Sequence, residues 1–400
     1  MKRIKNMKRF LICLFSFLFI GCSIAGGAVL LSNSSYSDNT GGGSSNDENN
    51  VEQNAPTNTD LWTASGNYAT AFDNEGEAGI DGSTEEKAYE IRTAEQLALL
   101  AYRINTSSTN STYRSLYYVQ TADIDLSLHY WDAIGYSSSY YFSGAYDGGN
   151  FTISGLYTRA GSSSTYSYQG LFGYVKGQAK TNKAVIENVG IIDSNVQGYQ
   201  YVGGVVGYAG SYVAINNSYN TSAVLGSYRY VGGVVGYVRP YVTITNCYNT
   251  GSVTGSYYVS GVVGYVYDDS TITNCYNTGD VTGSSDYVGG VIGDASSSTI
   301  TNCYNTGDVT GNSSYVGGVI GDASSSTVTN CYNTGTVTGS EYVGGVVGYV
   351  SSSSAVTNCY NTGAVTGSGS SVGGVVGYVY YGAEVTNCYN TGAVDGDSYT

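Results

Sequence analysis

The sequence has few of the residues from which most enzymes are built. Only 11% of its 400 residues are charged, and it contains 2 Pro, 2 Met, 2 Trp and one histidine, His129. A single histidine excludes the HExxH zinc site of metalloproteases, which needs two. After Ala184 the only basic residues are Arg229 and Arg239, in a chain with a net charge of −15. Phosphate binding needs clustered positive charge, which argues against nucleic acid as a partner.

The second half of the chain instead repeats one phrase. The string YVGGVVGY begins at Tyr201 and returns, lightly varied, at spacings of 29, 28, 29, 28, 27 and 29 residues, the last copy starting at Ser371. A second string, TNCYNTG, lies between the copies and carries one cysteine each time. These are Cys247, Cys275, Cys303, Cys331, Cys359 and Cys388. Such a regular period is typical of a solenoid, in which each repeat is one supersecondary unit.

The composition of the repeat predicts an all-β fold. Each period is rich in Val, Ile, Thr, Tyr, Asn and Gly and has few helix formers. We interpret it as three short strands separated by Gly, Asn or Ser corners, which is one coil of a parallel β-helix. We therefore expect a right-handed parallel β-helix, or β-solenoid, of about 28-residue coils behind an N-terminal cap that contains a helix. About eight coils from Tyr168 onward would form a rod of roughly 40 Å.

Equivalent residues of such coils form ladders with a spacing of about 4.8 Å. Val and Ile ladders are expected to fill the interior, and double glycines such as Gly203 and Gly204 to mark a bend or a close backbone approach. The Asn before each cysteine suits a corner, where stacked amides can bond to one another. The cysteines are expected inside as free thiols, with disulfides between adjacent coils left open.

Residues 1–31 have the features of an export signal. Five Lys and Arg in residues 1–9 precede an apolar stretch from Phe10 to Ile20. Three alternatives remain open: a lipoprotein signal with lipid attachment at Cys22, a cleaved signal ending at Ala25, and an uncleaved membrane anchor. Each of them places the body of the protein at the cell surface or in the medium.

Three further segments follow the signal. Residues 32–60 are rich in Ser, Asn and Gly and predict a disordered tether. Residues 61–167 form the cap and the first irregular coils, and residues 168–400 form the repeats. In the cap, Thr93 and Gln96 predict a capping box at the start of an amphipathic helix. Such a helix would close the first coil against water.

The order of the motifs resembles one known family. AYEIRTAEQLALLA, TADIDLS and FSGAYDGGNFTISGL precede the repeats of VGGVVGY and VTNCYNTGAVTG, and this order is similar to that of the GLUG-motif family of bacterial surface proteins, from about Gly82 to Gly396. The resemblance implies an exported β-helical stalk or adhesin-like module. Some relatives place such repeats ahead of an immunoglobulin A1 metalloprotease domain, an activity that does not extend to a chain with one histidine.

The tyrosine after each repeat cysteine is the leading candidate for ligand binding. If these side chains point outward, they form an aromatic stripe that can contact an extracellular protein or stack on a glycan. The alternative is stacking that only stabilises the rod, and an outward column of threonines leaves ice binding open as a third function. The candidates are Tyr248, Tyr276, Tyr304, Tyr332, Tyr360 and Tyr389.

Two pairs of aspartates are weak candidates for calcium binding. Asp294 and Asp322 replace a tyrosine of the repeat in consecutive coils, and Asp280 and Asp308 also occupy equivalent positions. Stacked carboxylates repel each other unless they are hydrated or bridged by a cation. The alternative is a solvated acidic face, and no other cofactor is expected.

These observations favour an exported, surface-tethered module, adhesive or structural, without enzymatic activity. The alternative is a β-helix region of a larger secreted enzyme, either a polysaccharide lyase or associated with a protease. His129 with Asp123, Asp125 and Asp132 indicates acid and base chemistry only weakly, because no nucleophile accompanies them. The chain stops at Thr400 without a visible cap, and an exposed sheet edge favours further coils or end-to-end self-association.

Overall fold

The computed structural model describes residues 55–106 and 111–398, which form a parallel β-solenoid. The predicted export signal, with Cys22, and most of the predicted tether lie outside the described residues. No helix among the residues described is long and apolar enough to cross a membrane.

Each coil of the repeats passes through four parallel sheets, which we number in the order in which one such coil runs through them. One coil runs through Val263–Val266 in sheet 1, Thr271–Thr273 in sheet 2 and Tyr276–Asn277 in sheet 3, and then through Val281–Gly283 and Val288–Gly289 in sheet 4. The expectation of three strands per coil was therefore wrong. The double glycine divides YVGGVVGY between sheets 4 and 1, and the Asn before each cysteine divides the second phrase between sheets 2 and 3.

Within the described part of the chain, sheets 1 to 4 contain 8, 11, 10 and 13 strands, respectively. Sheet 1 comprises Phe172–Val175, Val206–Ala209, Val235–Val238, Val263–Val266, Ile292–Ser296, Ile320–Ser324, Val347–Ser351 and Val376–Val379. Sheet 2 comprises Tyr89–Ile91, Tyr117–Gln120, Ala145–Asp147, Ala184–Glu187, Val213–Asn216, Thr243–Thr245, Thr271–Thr273, Thr299–Thr301, Thr327–Thr329, Ala355–Thr357 and Glu384–Thr386. Sheet 3 comprises Ile124–Asp125, Thr152–Ser154, Gly190–Ile192, Tyr219–Asn220, Tyr248–Asn249, Tyr276–Asn277, Tyr304–Asn305, Tyr332–Asn333, Tyr360–Asn361 and Tyr389–Asn390. Sheet 4 comprises Asn195–Gly203, Ala223–Gly232, Val253–Gly255, Tyr257–Ser260, Val281–Gly283, Val288–Gly289, Val309–Gly311, Ser314–Gly317, Val337–Gly339, Glu341–Gly344, Val365–Ser370, Val372–Gly373 and Val394–Ser398.

The cap is built around the helix Ala94–Asn105, as predicted. Thr93 accepts a hydrogen bond from the Gln96 backbone and the Gln96 side chain bonds back, so the capping box is present. A short helix, Ser111–Arg114, and two 3₁₀ turns, Glu85–Lys87 and Ser164–Tyr166, complete the helical structure among the described residues. The apolar side of the first helix is buried on the first coils, with Leu97, Leu100 and Ile104 almost fully covered.

The folded body begins slightly before residue 61. The Asn58 backbone N–H donates to Leu128 O at 3.0 Å, and Tyr130 N–H donates to Asp60 O at 3.0 Å. These bonds fix residues 58–60 against the cap, so they belong to it rather than to a free tether.

Val and Ile ladders fill the interior, which confirms the expected packing. The register pairs Ile244 with Ile272, Ile272 with Ile300 and Ile300 with Val328. The six valines of the next ladder are fully buried, and so are five of the repeat cysteines. These valines are Val205, Val234, Val262, Val291, Val319 and Val346. The interior is therefore continuous from coil to coil.

Candidate functional site

A buried ladder of asparagines holds the strands of sheet 3 in register. In each coil the Asn Nδ2 donates to the carbonyl two residues further on, as from Asn277 to Gly279 at 2.6 Å, and to the Oδ1 of the next Asn, as from Asn277 to Asn305 at 2.8 Å. The ladder comprises Asn220, Asn249, Asn277, Asn305, Asn333, Asn361 and Asn390. Successive side chains of a strand point to opposite faces of the sheet. Because the Asn of each Tyr–Asn pair points inward to this ladder, the Tyr before it points outward.

The sequence reasoning missed this ladder and identified a different one. The predicted corner asparagines do lie at corners with positive φ, such as 55° at Asn274, and Asn274 Nδ2 donates to Asn246 Oδ1 at 3.1 Å. That outer amide ladder is confirmed, but its members are exposed. The repeated Tyr–Asn pair after every cysteine was the signal for the inner ladder, because a polar residue opposite an outward Tyr must point inward.

The double glycines make room for the inner ladder. A Cβ on Gly290 would lie 2.1 Å from Gly318 O and 2.4 Å from Asn305 Cγ. A Cβ on the preceding Gly289 would lie 1.9 Å from Ile292 O. The expected close approach is thus confirmed, since no other residue fits at either position.

The repeat cysteines form an inward ladder of free thiols. Cys275 Sγ donates to Thr273 O at 3.3 Å and to Ile244 O at 3.7 Å. Burial raises the pKa of the Cys275 thiol well above its usual range. A buried, protonated thiol is a poor nucleophile, so the ladder serves packing.

The candidate tyrosines form one stacked column on the outside of sheet 3. Their ring centroids are 4.8 Å apart from Tyr219 to Tyr332, 4.9 Å at the next step and 5.2 Å at the last, and adjacent ring planes differ by at most 5°. The rings between the ends of the column are partly covered, and Tyr389 is 55% exposed. We call these residues the tyrosine column: Tyr219, Tyr248, Tyr276, Tyr304, Tyr332, Tyr360 and Tyr389.

The stacking determines what the tyrosine column can contact. Each ring covers the faces of its neighbours, so ring edges and hydroxyls remain for a partner. Burial raises the pKa of Tyr248, Tyr276 and Tyr332, which keeps their hydroxyls protonated. The column therefore presents a straight row of hydroxyl groups that can donate and accept hydrogen bonds. Stacking of a sugar on a ring face, as the sequence suggested, has room only at the ends of the column.

Two further aromatic columns meet at the corner between sheets 4 and 1. One contains tyrosines with positive φ, such as 69° at Tyr287, whose ring stacks on Tyr258 at 4.6 Å. The other contains Tyr237 and Tyr265, stacked at 5.2 Å, and rings of the two columns meet edge to face. Sequence reasoning did not predict this double column, because tyrosine rarely adopts positive φ.

Asp294 and Asp322 interrupt one of these corner columns. The register places them side by side, with Tyr265 before them and Tyr349 after them. Asp322 is 8% exposed and accepts a hydrogen bond from Ser324 Oγ at 3.0 Å. Burial raises the pKa of Asp322 to about 6, and burial together with the neighbouring Asp322 charge raises that of Asp294 well above its usual range. Protonation of these carboxyl groups at mildly acidic pH therefore removes the repulsion between their negative charges.

Asp280 and Asp308 have a structural role. Asp280 Oδ1 accepts the backbone N–H of Asp308 at 3.2 Å, and Asp308 Oδ1 accepts that of Thr336 at 2.9 Å. Each carboxylate therefore caps an amide of the following coil. Within residues 55–106 and 111–398, no three His, Cys, Asp or Glu side chains cluster as a metal site would require.

The acidic residues around His129 do not converge on it. Its Nδ1 lies 2.5 Å from Asp60 Oδ1, a partner that the sequence did not indicate. Asp123 instead accepts bonds from the Thr152 N–H and hydroxyl, Asp125 from Ser127 N–H, and Asp132 from the Thr63 hydroxyl. The four groups hold separate turns of the cap.

Four parallel sheets around stacked Asn, Cys and Val ladders define a parallel β-solenoid repeat protein. The model of the GLUG motif matches six tandem segments of it, at residues 227–254, 255–282, 284–310, 312–338, 339–366 and 368–395. Residues 227–395 therefore form a tandem array of six GLUG-motif repeats.

The chain is similar to a protein of known structure. The structure is a "putative immunoglobulin A1 protease from Bacteroides ovatus", with 21% sequence identity and a TM-score of 0.48. The alignment covers 78% of this chain and 86% of that one. Among curated proteins no sequence matches significantly.

Proposed function

We propose that this protein is an exported cell-surface module that binds an extracellular protein or glycan through the tyrosine column. The N-terminal segment would carry it out of the cytoplasm and hold it at the membrane, by lipid on Cys22 or by an anchor. In this role the solenoid is a rigid support without enzymatic activity.

The observation that carries the proposal is the unbroken row of seven tyrosines along one face. A row of hydroxyls and ring edges with a spacing near 4.8 Å matches partners that repeat hydrogen-bonding groups along a line. Tyr is also enriched where proteins recognise one another, because its ring is rigid and its hydroxyl is polar. A column that only stabilised the rod would not need its hydroxyls at the surface.

Binding of the full-length chain to arrays of host glycans and extracellular-matrix proteins tests the proposal. The double variant Tyr276→Ser, Tyr304→Ser removes two adjacent rings of the tyrosine column. The matched control Tyr237→Ser, Tyr265→Ser removes two stacked rings from the corner between sheets 4 and 1. We expect selective binding that only the first variant loses. Equal binding by wild type and by the Tyr276→Ser, Tyr304→Ser variant would mean that the tyrosine column only stabilises the solenoid and does not contact the partner.

Calcium binding by the aspartate pairs remains a separate proposal. The pair Asp294 and Asp322 supports it better, because Asp280 and Asp308 already cap backbone amides. Isothermal titration of calcium into the protein at pH 7.5 would show heat that Asp294→Asn, Asp322→Asn abolishes. No heat and no change in melting temperature would refute it.

A further inference from the structure

A large cavity lies where the cap helix meets the first repeat coil. It has a volume of about 620 Å³, within the range of small-molecule sites. Its walls come from the end of the helix, from the turn at Asp132 to Ser137, and from the segment Ser164 to Gln169. It is remote in sequence from the tyrosine column, and neither the family match nor the function proposed above involves it.

The walls of the cavity are held in place by hydrogen bonds. Asn105 Nδ2 donates to Ala133 O at 2.9 Å, and Asn105 Oδ1 accepts the Gly135 N–H at 2.9 Å. On the other side, Gln169 Nε2 donates to Ser167 O at 3.0 Å. The bonds of Asn105 link the helix end to the turn, and the Ile134 N–H donates to Leu171 O at 3.0 Å, which links the turn to the first coil. The site is therefore formed before any ligand arrives.

The lining is aromatic and polar but almost without aliphatic side chains. Tyr136, which is 45% exposed, and Tyr168 supply rings, and Ala133 is the one aliphatic residue among the described residues of the lining. Tyr136 stacks on Tyr140 with centroids 5.0 Å apart, and Tyr168 stacks on Tyr201 at 4.9 Å, so both rings are fixed. A lipid or an apolar peptide side chain would find little to pack against here.

The Asp132 carboxyl and the Ser167 hydroxyl are the two polar groups of the cavity whose hydrogen bonding points to a ligand. The Asp132 carboxyl accepts a bond from the Thr63 hydroxyl, and burial raises its pKa. Ser167 is 5% exposed, and its hydroxyl has no hydrogen-bond partner among the described residues. Buried hydroxyls are rarely left unbonded, and a serine hydroxyl can turn about a single bond to meet a ligand. The orphaned group and the carboxyl therefore indicate a ligand rich in hydroxyls.

We propose that this cavity binds a neutral saccharide unit, with Tyr136 and Tyr168 against its C–H surface and Asp132 and Ser167 bonded to its hydroxyls. Amphipathic rings beside a few fixed polar groups suit a polyol, which has apolar faces and polar edges. Because the site lies in the cap, it can act whether or not the tyrosine column binds a partner.

Isothermal titration of the full-length chain with lactose, maltose, cellobiose and N,N′-diacetylchitobiose tests the proposal. Thr165 is exposed at the cavity wall, so Thr165→Trp obstructs the site without altering the core. Thr254→Trp places the same side chain on an exposed position of the repeats and serves as the matched control. We expect at least one disaccharide to bind, and Thr165→Trp to weaken it at least about tenfold while Thr254→Trp leaves it unchanged.

Asp132→Asn provides a second variant that keeps an oxygen for the Thr63 hydroxyl. It should weaken the same disaccharide without lowering the melting temperature by more than the Thr254→Trp control does. No heat with any of the four disaccharides would overturn the proposal. Binding that survives Thr165→Trp would also overturn it, because the sugar would then occupy another site.

Discussion

For single residues, the clearest contrast is between the two asparagines of each repeat, which have different structural roles. In the string TNCYN, the first Asn turns the corner on the surface and the second bonds inside the coil. Asn302 has φ of 56° and an exposed amide, whereas Asn305 is fully buried and its amide joins both adjacent coils. The sequence indicated the first because Asn favours corners, and did not indicate the second because a polar residue that follows Tyr in a strand gives no local sign of being buried.

Replacing the inner Asn should be much more damaging than replacing the outer one. Asn305→Ala removes bonds to Gly307, Asn277 and Asn333 and leaves their buried groups unsatisfied, at a cost of about 2–4 kcal/mol of unfolding free energy. Asn302→Gly keeps a residue that tolerates positive φ and should cost less than about 1 kcal/mol. Urea unfolding of both variants checks this, and equal losses would contradict the assigned roles.

The Asp294 and Asp322 pair should make stability depend on pH. The folded pKa of Asp322, about 6, lies above its ordinary value of 3.8, so the folded state binds protons more tightly. The contribution of this group to stability is then fully present below about pH 4 and is lost as the pH rises through 6, a change of about 3 kcal/mol. Asp294→Asn, Asp322→Asn should flatten that part of the profile of melting temperature against pH. Asp280→Asn, Asp308→Asn is the matched control, and a similar flattening there would refute the assignment.

At the scale of elements, the repeated ladders were predictable but the number of sheets was not. The spacing of YVGGVVGY and the corner residues sufficed to predict parallel strands and the Val and Ile interior, and the capping box of Thr93 and Gln96 sufficed to predict the cap helix. Part of the extra strand count comes from the bend at Tyr287 and its equivalents, which divides the run of each coil through sheet 4 in two. Stacking of these rings on the rings of adjacent coils offsets the strain of their positive φ. One coil considered alone contains no sign of that stabilisation.

The double glycine should tolerate no side chain. Gly290→Ala would force a Cβ to within 2.1 Å of Gly318 O and displace the Asn305 amide, at a cost of about 3 kcal/mol or more. In Gly210→Ala the Cβ would lie 3.0 Å from Val175 O and from Lys176 Cβ, so neighbours need to move only slightly and the cost should be clearly smaller than for Gly290→Ala. Thermal unfolding followed by circular dichroism distinguishes the two, and a stable Gly290→Ala would contradict the packing described here.

At the scale of the whole molecule, each coil contacts mainly the coils before and after it. Val, Cys and Asn ladders pass through every repeat, so stability should add up coil by coil. Gly283 and Gly311 are register partners in consecutive coils, and three residues separate each of them from the next tyrosine, Tyr287 or Tyr315. Removal of the segment between these glycines should therefore leave a shorter solenoid with its ladders intact.

Thermal unfolding of two deletion variants, followed by circular dichroism, tests the central claim that one repeat is one coil. Deletion of residues 284–311 removes a whole coil and should give a folded β protein with a cooperative transition. Deletion of residues 284–297 removes half a coil and should abolish folding of the repeats, because it places apolar and polar positions out of register. Loss of structure in the first variant, or a stable fold in the second, would contradict the claim that one repeat forms one coil.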